Sequence, residues 1–246
     1  IYGLQDPHVV GGEPSITDAH ALAQRYVAQI REVAPHGPYR ILGWSVGGVI
    51  AHAMATRLQS EGETVDFLGV MDSVPEDPGA TEQTVEPAPD ATARPGAEQD
   101  GSVVVDVLGG WRDLFDLGDD VQASTPEEVT AIIRAQIAGM GLLGADQVDR
   151  IMTSFELSPQ VVLDFVPAVF RGDLQVFTAT EDKDDPRRIA EGWRAYVSGE
   201  IRNVDVATHH LGMADAASLA VIGPVLDAEL AALDSVAEEG RRPGRG

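Results

Sequence analysis

Apolar and polar positions follow two periods along this chain. Between residues 17 and 34, Leu22, Ala23, Tyr26, Val27, Ile30 and Val33 recur at helical spacing, with Thr17 placed as an N-cap and Pro35 beyond the end. Tyr39–Trp44 reads as a short apolar strand. Residues 46–60 return to the helical period through Val49, Ile50, Ala53, Met54 and Leu58, and Gly62 stops them. Val65–Met71 is a strand of the buried type. Strand, helix and strand in the 33 residues from 39 to 71 make a βαβ unit, which implies a parallel sheet.

The pattern then changes. Residues 76–101 are rich in Pro, Ala, Gly and acids with almost no apolar content, so they cannot bury enough surface to offset chain entropy and are expected to form a flexible loop. Helical spacing follows over Val103–Leu117, Pro126–Met140 and Asp146–Val169, the second opened by the start signal Ser124-Thr125-Pro126-Glu127. Alternation resumes with a strand at Leu174–Thr180, a helix opened by Asp185 and Pro186 and running through Val197, and a strand at Ile201–Ala207. A last helix spans Asp215 to about Leu233, with Pro224 expected to kink or divide it.

The expected architecture is α/β: a mostly parallel sheet with a helical insertion, of the kind that commonly sits over the carboxyl ends of the strands. Residues 1–75 and 173–235 form the two parts of the core, 76–172 the insertion, and 236–246 a disordered tail. The chain opens directly in the strand-like Ile1–Gln5, as though excised from something longer.

Charge narrows the function. The 246 residues carry 17 Lys and Arg against 40 Asp and Glu, a net −23. Residues 76–128 alone hold 14 acids and two arginines, Arg94 and Arg112, a net −12. Nucleic acid and anionic membrane surfaces need clustered cations and are poor partners for such a chain. No apolar run approaches the roughly 18 residues that span a bilayer, and no signal peptide opens the chain. The absence of cysteine removes disulfides, thiolate zinc sites and a cysteine nucleophile together. A soluble cytoplasmic protein is expected.

One segment carries chemistry. Gly43-Trp44-Ser45-Val46-Gly47 matches G-x-S-x-G, and it lies between an apolar strand and an amphipathic helix, where a nucleophile elbow belongs. A sharp turn strains the backbone at Ser45, so its neighbours two residues away, Gly43 and Gly47, are expected to need the absence of Cβ. The start of the following helix aims N–H groups at a developing oxyanion, and the Val46 amide is one donor.

A serine needs a base and the base an orienting acid. Of the six histidines, His8 and His36 fall in turn regions and His20 and His52 within helices. His209 and His210 follow the last strand, where this chemistry places its base, with His210 preferred and His209 the alternative. Asp72 closes the strand ending at Met71. Asp182, Asp184 and Asp185 follow the strand ending at Thr180, where a solvated turn with Asp185 capping the next helix is the plainer role.

Together these residues resemble the type I thioesterase domains that end non-ribosomal peptide synthetases and polyketide synthases, which have the α/β-hydrolase fold. The likeness covers the chain to about residue 235. Ile1–Gln5 is similar to the family's V-Y-G-L-Q strand, GPYRILGWSVGG at 37–48 to its nucleophile segment, GVMDSVP at 69–75 to its strand-end acid, and His210-Leu211-Gly212-Met213 to its His-x-x-Met. The resemblance implies Ser45 as nucleophile, Asp72 as orienting acid, His210 as base and Val46 as an oxyanion donor. It implies that 76–172 is a lid over the acyl chain. It also implies that the family's first strands, with the Gly-rich loop donating a second oxyanion amide, precede Ile1.

The partner so implied is a carrier domain presenting a peptidyl or acyl thioester on phosphopantetheine, with no metal and no cofactor of the protein's own. The acidic block at 76–128 would repel an acidic carrier, so docking is expected elsewhere or to depend on salt. Release is by hydrolysis or macrocyclisation. A free-standing type II thioesterase or carboxylesterase, and a non-catalytic binding module on the same fold, are the rival readings.

Overall fold

The two inner strands of the sheet are runs too apolar to face water on either side. In a computed structural model of the chain, residues 1–75, 131, 134, 144–163 and 165–241 are described. Strands β1 (Tyr39–Trp44), β2 (Val65–Met71), β3 (Leu174–Ala179) and β4 (Ile201–Val206) pair in that order, all parallel. Every residue of β3 is buried, as a central strand covered on both faces requires.

Alternate residues of the strands feed two apolar clusters. Leu68, Val70, Leu174 and Val176 join the larger one with helices α2 (Ala19–Val33) and α3 (Val46–Ser60) and the buried Trp193. Met71, Phe177, Ala179 and Val206 join the second, with Met213 and Ile222 of the last helical segments. Helix α2 is capped by Asp18, whose side chain accepts from the Ala21 N–H at 2.6 Å. The expected cap, Thr17, lies one residue too early. Helix α3 ends as expected, with Gly62 at φ +88°.

The chain divides into two compact units: Ile1–Ser15 with Glu76–Pro159, and Ile16–Pro75 with Gln160–Gly246. The whole sheet belongs to the second. In the first, α1 (Pro7–Gly11) is capped by Asp6, and Ser154 of α4 (Ala145–Leu163) donates to the Asp6 carboxylate. This division differs from the expected one at its edges, since residues 1–15 group apart from the core and 160–172 with it. The expected loop 76–101 and the helices at Val103–Leu117 and Pro126–Met140 lie outside the described residues, apart from 131 and 134.

Several boundaries differ from expectation. Ile1–Gln5 is not a strand: these residues are exposed and lie outside the sheet's pairing. The third expected helix stops at Leu163, before Pro167, because the residue preceding proline is pushed out of the helical region. The segment after Pro186 is not one helix but α5 (Arg187–Glu191) and a 3-10 turn, Arg194–Tyr196, which swing the Trp193 ring inward to donate to the Ser73 carbonyl at 2.6 Å.

The last helix, α6 (Ala216–Arg241), runs through Pro224 and on past residue 235 into the expected tail. Contrary to the expectation that no run is apolar enough to span a bilayer, its Ala216–Val236 stretch is long enough, and an 18-residue window within it has a mean hydropathy of 1.6. Proline and acids interrupt the apolar run in the sequence, but the helix averages over them. The stretch nonetheless serves the sheet. Ile222, Val225 and Leu226 pack on it, and Glu229 and Asp234 pair with Arg202 of β4 and Arg40 of β1 at 3.3 and 2.8 Å.

Candidate active site at the carboxyl ends of the strands

Four strands ending at one edge bring four loops together, and each loop supplies a polar group. Ser45 is the single residue between β1 and α3. Its backbone is left-handed, φ +56° and ψ −130°, and its N–H donates to the Met71 carbonyl at 2.9 Å. A non-glycine residue there is strained and persists only where the surroundings hold it. The hold comes from close packing beneath the turn, because a Cβ on Gly43 would run into the backbone of Gly47 and Gly48. The expectation for Gly47 is not met: a Cβ there meets nothing among the described residues. The second tight glycine is Gly48, pressed on the Ser73 side chain, a position the motif alone does not mark.

Val46 is the first residue of α3, so its N–H is among those that helix geometry leaves without an intrahelical acceptor. It stands beside Ser45 at the positive end of the helix dipole, as an oxyanion donor must.

Asp72 follows β2 and is also left-handed, at φ +45°. Its side chain is only 1% exposed. The Ala179 N–H donates to Oδ1 at 3.1 Å, while Oδ2 faces His210 Nδ1 at 2.5 Å. His210 opens a 3-10 turn, His210–Ala214, after β4, and its Nε2 lies 2.9 Å from Ser45 Oγ. A carboxylate only accepts, so Nδ1 carries the proton, and Nε2 is free to accept from the serine hydroxyl. His209 does not compete for the base position. It caps that 3-10 turn, its Nδ1 accepting from the Gly212 N–H at 3.2 Å. Trp44 lies beside the His210 imidazole, ring centroids 5.8 Å apart.

The second group of acids leaves the imidazole ring to Asp72. Asp182 instead accepts the His210 backbone N–H on Oδ2 at 2.6 Å. Its Oδ1 accepts from Lys183 Nζ at 2.7 Å, and the same ammonium donates to Asp72 Oδ2 at 2.8 Å. Burial works to raise the Asp182 pKa. The bonds from Lys183 and from the His210 amide prevail, and hold the carboxyl below its usual value. Asp185 accepts from Arg187 Nε at 3.0 Å, which leaves the capping position of α5 to Pro186. Nothing in the sequence flags Lys183, since only the fold brings it 111 positions back to Asp72.

The other histidines lie apart from this group. His8 Nδ1 donates to the Glu13 carbonyl, His36 is exposed beside Glu63, and His20 packs on Phe165. His52 is fully buried against Trp193, with Nε2 3.1 Å from the Tyr196 carbonyl.

A hydroxyl, an imidazole and a carboxylate in hydrogen-bonded series, with the hydroxyl on a strained strand-to-helix turn of a parallel sheet, define an α/β-hydrolase-type site. The chain belongs to the thioesterase domain family, whose model matches residues 1–222. It is 30% identical over 236 residues to a dimodular nonribosomal peptide synthase of Bacillus subtilis (strain 168), covering 95% of this chain and 9% of that synthase. It thus spans about a tenth of that relative's length. Among solved structures it resembles a four-domain nonribosomal peptide synthetase bound to AMP and glycine, with a TM-score of 0.66 at 16% identity over 91% of this chain and 17% of that one. It also resembles the Vlm2 thioesterase domain, with a TM-score of 0.60 at 20% identity over 89% of this chain and 79% of that one.

Proposed function

We propose that this domain releases a peptidyl or acyl chain from the phosphopantetheine thioester of a carrier domain through a serine acyl-enzyme. The observation that carries the reading is the series Ser45 Oγ, His210 Nε2, His210 Nδ1, Asp72 Oδ2, at 2.9 and 2.5 Å. Family membership supplies the leaving group, a thiolate, and the names of the relatives supply the setting, a peptide synthetase.

In the first half-reaction His210 Nε2 accepts the Ser45 proton as Oγ attacks the thioester carbonyl. The negative charge on the former carbonyl oxygen is met by the Val46 N–H. The tetrahedral adduct collapses, the C–S bond breaks, and the imidazolium returns its proton to the pantetheine thiolate. Asp72 holds the imidazole in the required tautomer throughout and stabilises the imidazolium. In the second half-reaction His210 activates water, giving an acid, or a hydroxyl or amine of the chain itself, giving a ring. Which one attacks depends on how far the site excludes water and folds the chain back. The reading needs no metal or organic cofactor of the domain's own, because the pantetheine arm belongs to the carrier. It places both proteins in the cytoplasm.

The test is an acyl-N-acetylcysteamine thioester incubated with the protein and with Ser45→Ala, followed by intact mass. An acyl adduct on the wild type that is absent from the variant is expected. No adduct on either, together with no labelling by a serine-directed fluorophosphonate, overturns the reading in favour of a binding module.

A further inference from the structure

The polar groups around His210 close into a ring. The imidazole Nδ1 meets Asp72 Oδ2, Lys183 Nζ donates to that same oxygen, and Lys183 also donates to Asp182 Oδ1. Asp182 Oδ2 takes the backbone N–H of His210. The imidazole is therefore held twice, by its ring and by its backbone, and each hold is a carboxylate.

Two carboxylates are one more than this chemistry wants. An imidazole that must accept a proton and then surrender it within one turnover is ill served by a net charge of −2 beside it, which favours the imidazolium and slows the return of its proton. The charged groups on the surrounding elements leave little else to offset that excess. They are Asp72 at the end of β2, Glu181, Asp182, Lys183, Asp184 and Asp185 in the loop after β3, the last of these paired with Arg187 of α5, titratable His209 capping the His210 turn, and Asp215 after it. The end of β1 and the first turns of α3 and α6 contribute none. Lys183 is the cation that bridges the two acids bonding His210, whereas Arg187 is taken up by Asp185.

We propose that Lys183 is a positioning residue for the release reaction. It cancels the charge of Asp182, so that the loop after β3 can use Asp182 to fix the His210 backbone while Asp72 alone sets the charge felt by the imidazole. This rests on the acyl-enzyme reading above and adds to it a residue that the serine, histidine and acid pattern does not contain. The geometry suits the role. The Lys183 side chain is 20% exposed and spans two carboxylates 1% and 33% exposed, so its charge acts where water screens least on the Asp72 side.

The experiment measures kcat/KM against pH on an acyl-N-acetylcysteamine thioester for the wild type, Lys183→Met, Lys183→Arg and the double variant Asp182→Asn/Lys183→Met. Thermal melts confirm that each is folded. Removing the cation alone is expected to move the acid limb to higher pH by about one unit, roughly a tenfold loss below the limb. Arginine keeps a cation in place and is expected to leave the limb where it was. The double variant removes one charge of each sign, and its new amide oxygen can still accept the His210 N–H. Its limb is expected to return towards the wild-type position.

An unmoved limb in Lys183→Met overturns the proposal, as does a double variant whose limb stays displaced. Should Lys183→Met fail to fold, Asp182→Asn decides instead: it leaves the cation on Asp72 alone and is expected to move the limb to lower pH, and an unmoved limb overturns the proposal. Ser45 acylation of the wild type is followed in the same samples. Its absence removes the underlying reading, whereas normal acylation with an unmoved limb removes only the role of Lys183.

Discussion

Ion pairs stand at both ends of the same four strands, and they do different work. At the amino ends Arg40 pairs with Asp66 and Asp234, at 3.2 and 2.8 Å, and Arg202 pairs with Glu229 at 3.3 Å. These side chains are a quarter to two-thirds exposed, apart from Asp66, and they tie α6 to the edges of the sheet. At the carboxyl ends Asp72 is sealed in, 1% exposed, and its partners Lys183 and His210 reach it from two other loops. Water screens the first set more than the second, where the Asp72 carboxylate is sealed. The same chemistry therefore makes a weak strap at one end of the sheet and a sealed hydrogen-bonded series at the other.

The largest expected effect is at the carboxyl end. Asp72→Asn keeps the shape but offers an amide where the imidazole Nδ1–H needs an acceptor, so the tautomer is no longer fixed. A loss of about 10⁴-fold in kcat is expected, measured on a thioester whose KM changes far less. Asp182→Asn is expected to be much milder, because it leaves the ring contact between His210 and Asp72 in place. If Asp182→Asn were the dead variant and Asp72→Asn the active one, the orienting role proposed for Asp72 would be wrong.

Glycine substitution tests how tightly the carboxyl end is built. Gly43→Ala forces a Cβ into the backbone of Gly47 and Gly48 and should destabilise by several kcal/mol, about the range of other overpacked or strained sites. Gly47→Ala meets nothing among the described residues in the first turn of α3, where alanine is the better helix former, and should gain about 0.5–1 kcal/mol. Thermal melts of the two variants should therefore move in opposite directions, although both residues belong to one motif.

That contrast shows what is legible in the chain and what is not. The βαβ unit, the elbow at Ser45 and the strand-end candidates Asp72 and His210 can be read because each is a local pattern: a period, a turn signal, a strand end. The preference for Asp72 over Asp182 comes from the family resemblance alone. The clash that makes Gly43 obligatory is with backbone four residues on, and the motif implies it. The same inference fails at Gly47 because the motif does not say which side of the turn is crowded. Lys183 is invisible in the sequence, since its two carboxylates are a neighbour and a residue 111 positions away. The expected strand at Ile1–Gln5 fails for a related reason: a strand is made by its pairing partner as much as by its own alternation.

Between the two ends lies His52, whose behaviour separates core from site. Burial lowers its pKa from the usual 6.5 to about 4, against the opposing effect of the Tyr196 carbonyl. The folded protein keeps it neutral while the unfolded chain takes up a proton below pH 6.5. Stability present above 6.5 is therefore lost as pH falls towards 4, by about 3 kcal/mol at most. His52→Leu should flatten that part of the stability curve in urea titrations between pH 7 and 4. The Tyr196 carbonyl would still accept from the Phe170 N–H at 2.9 Å, so no orphaned polar group offsets the gain. An unchanged slope in the variant would assign the acid loss to the carboxylates instead.

The smallest effect belongs to the amino end, and it is the sharpest check on the comparison. Arg40→Met removes the contacts to Asp66 and Asp234 but leaves no charge fully buried, since Asp234 faces water and Asp66 stays 20% exposed. A change within about 1 kcal/mol is expected, shrinking further in high salt. Turnover should keep both its kcat and its pH profile, because β1, which carries Arg40 and leads into Ser45, is held by its ladder and not by the strap. A shifted pH profile in Arg40→Met would mean that charge at one end of the sheet is felt at the other. The separation of the strap from the hydrogen-bonded series at the site would then fail.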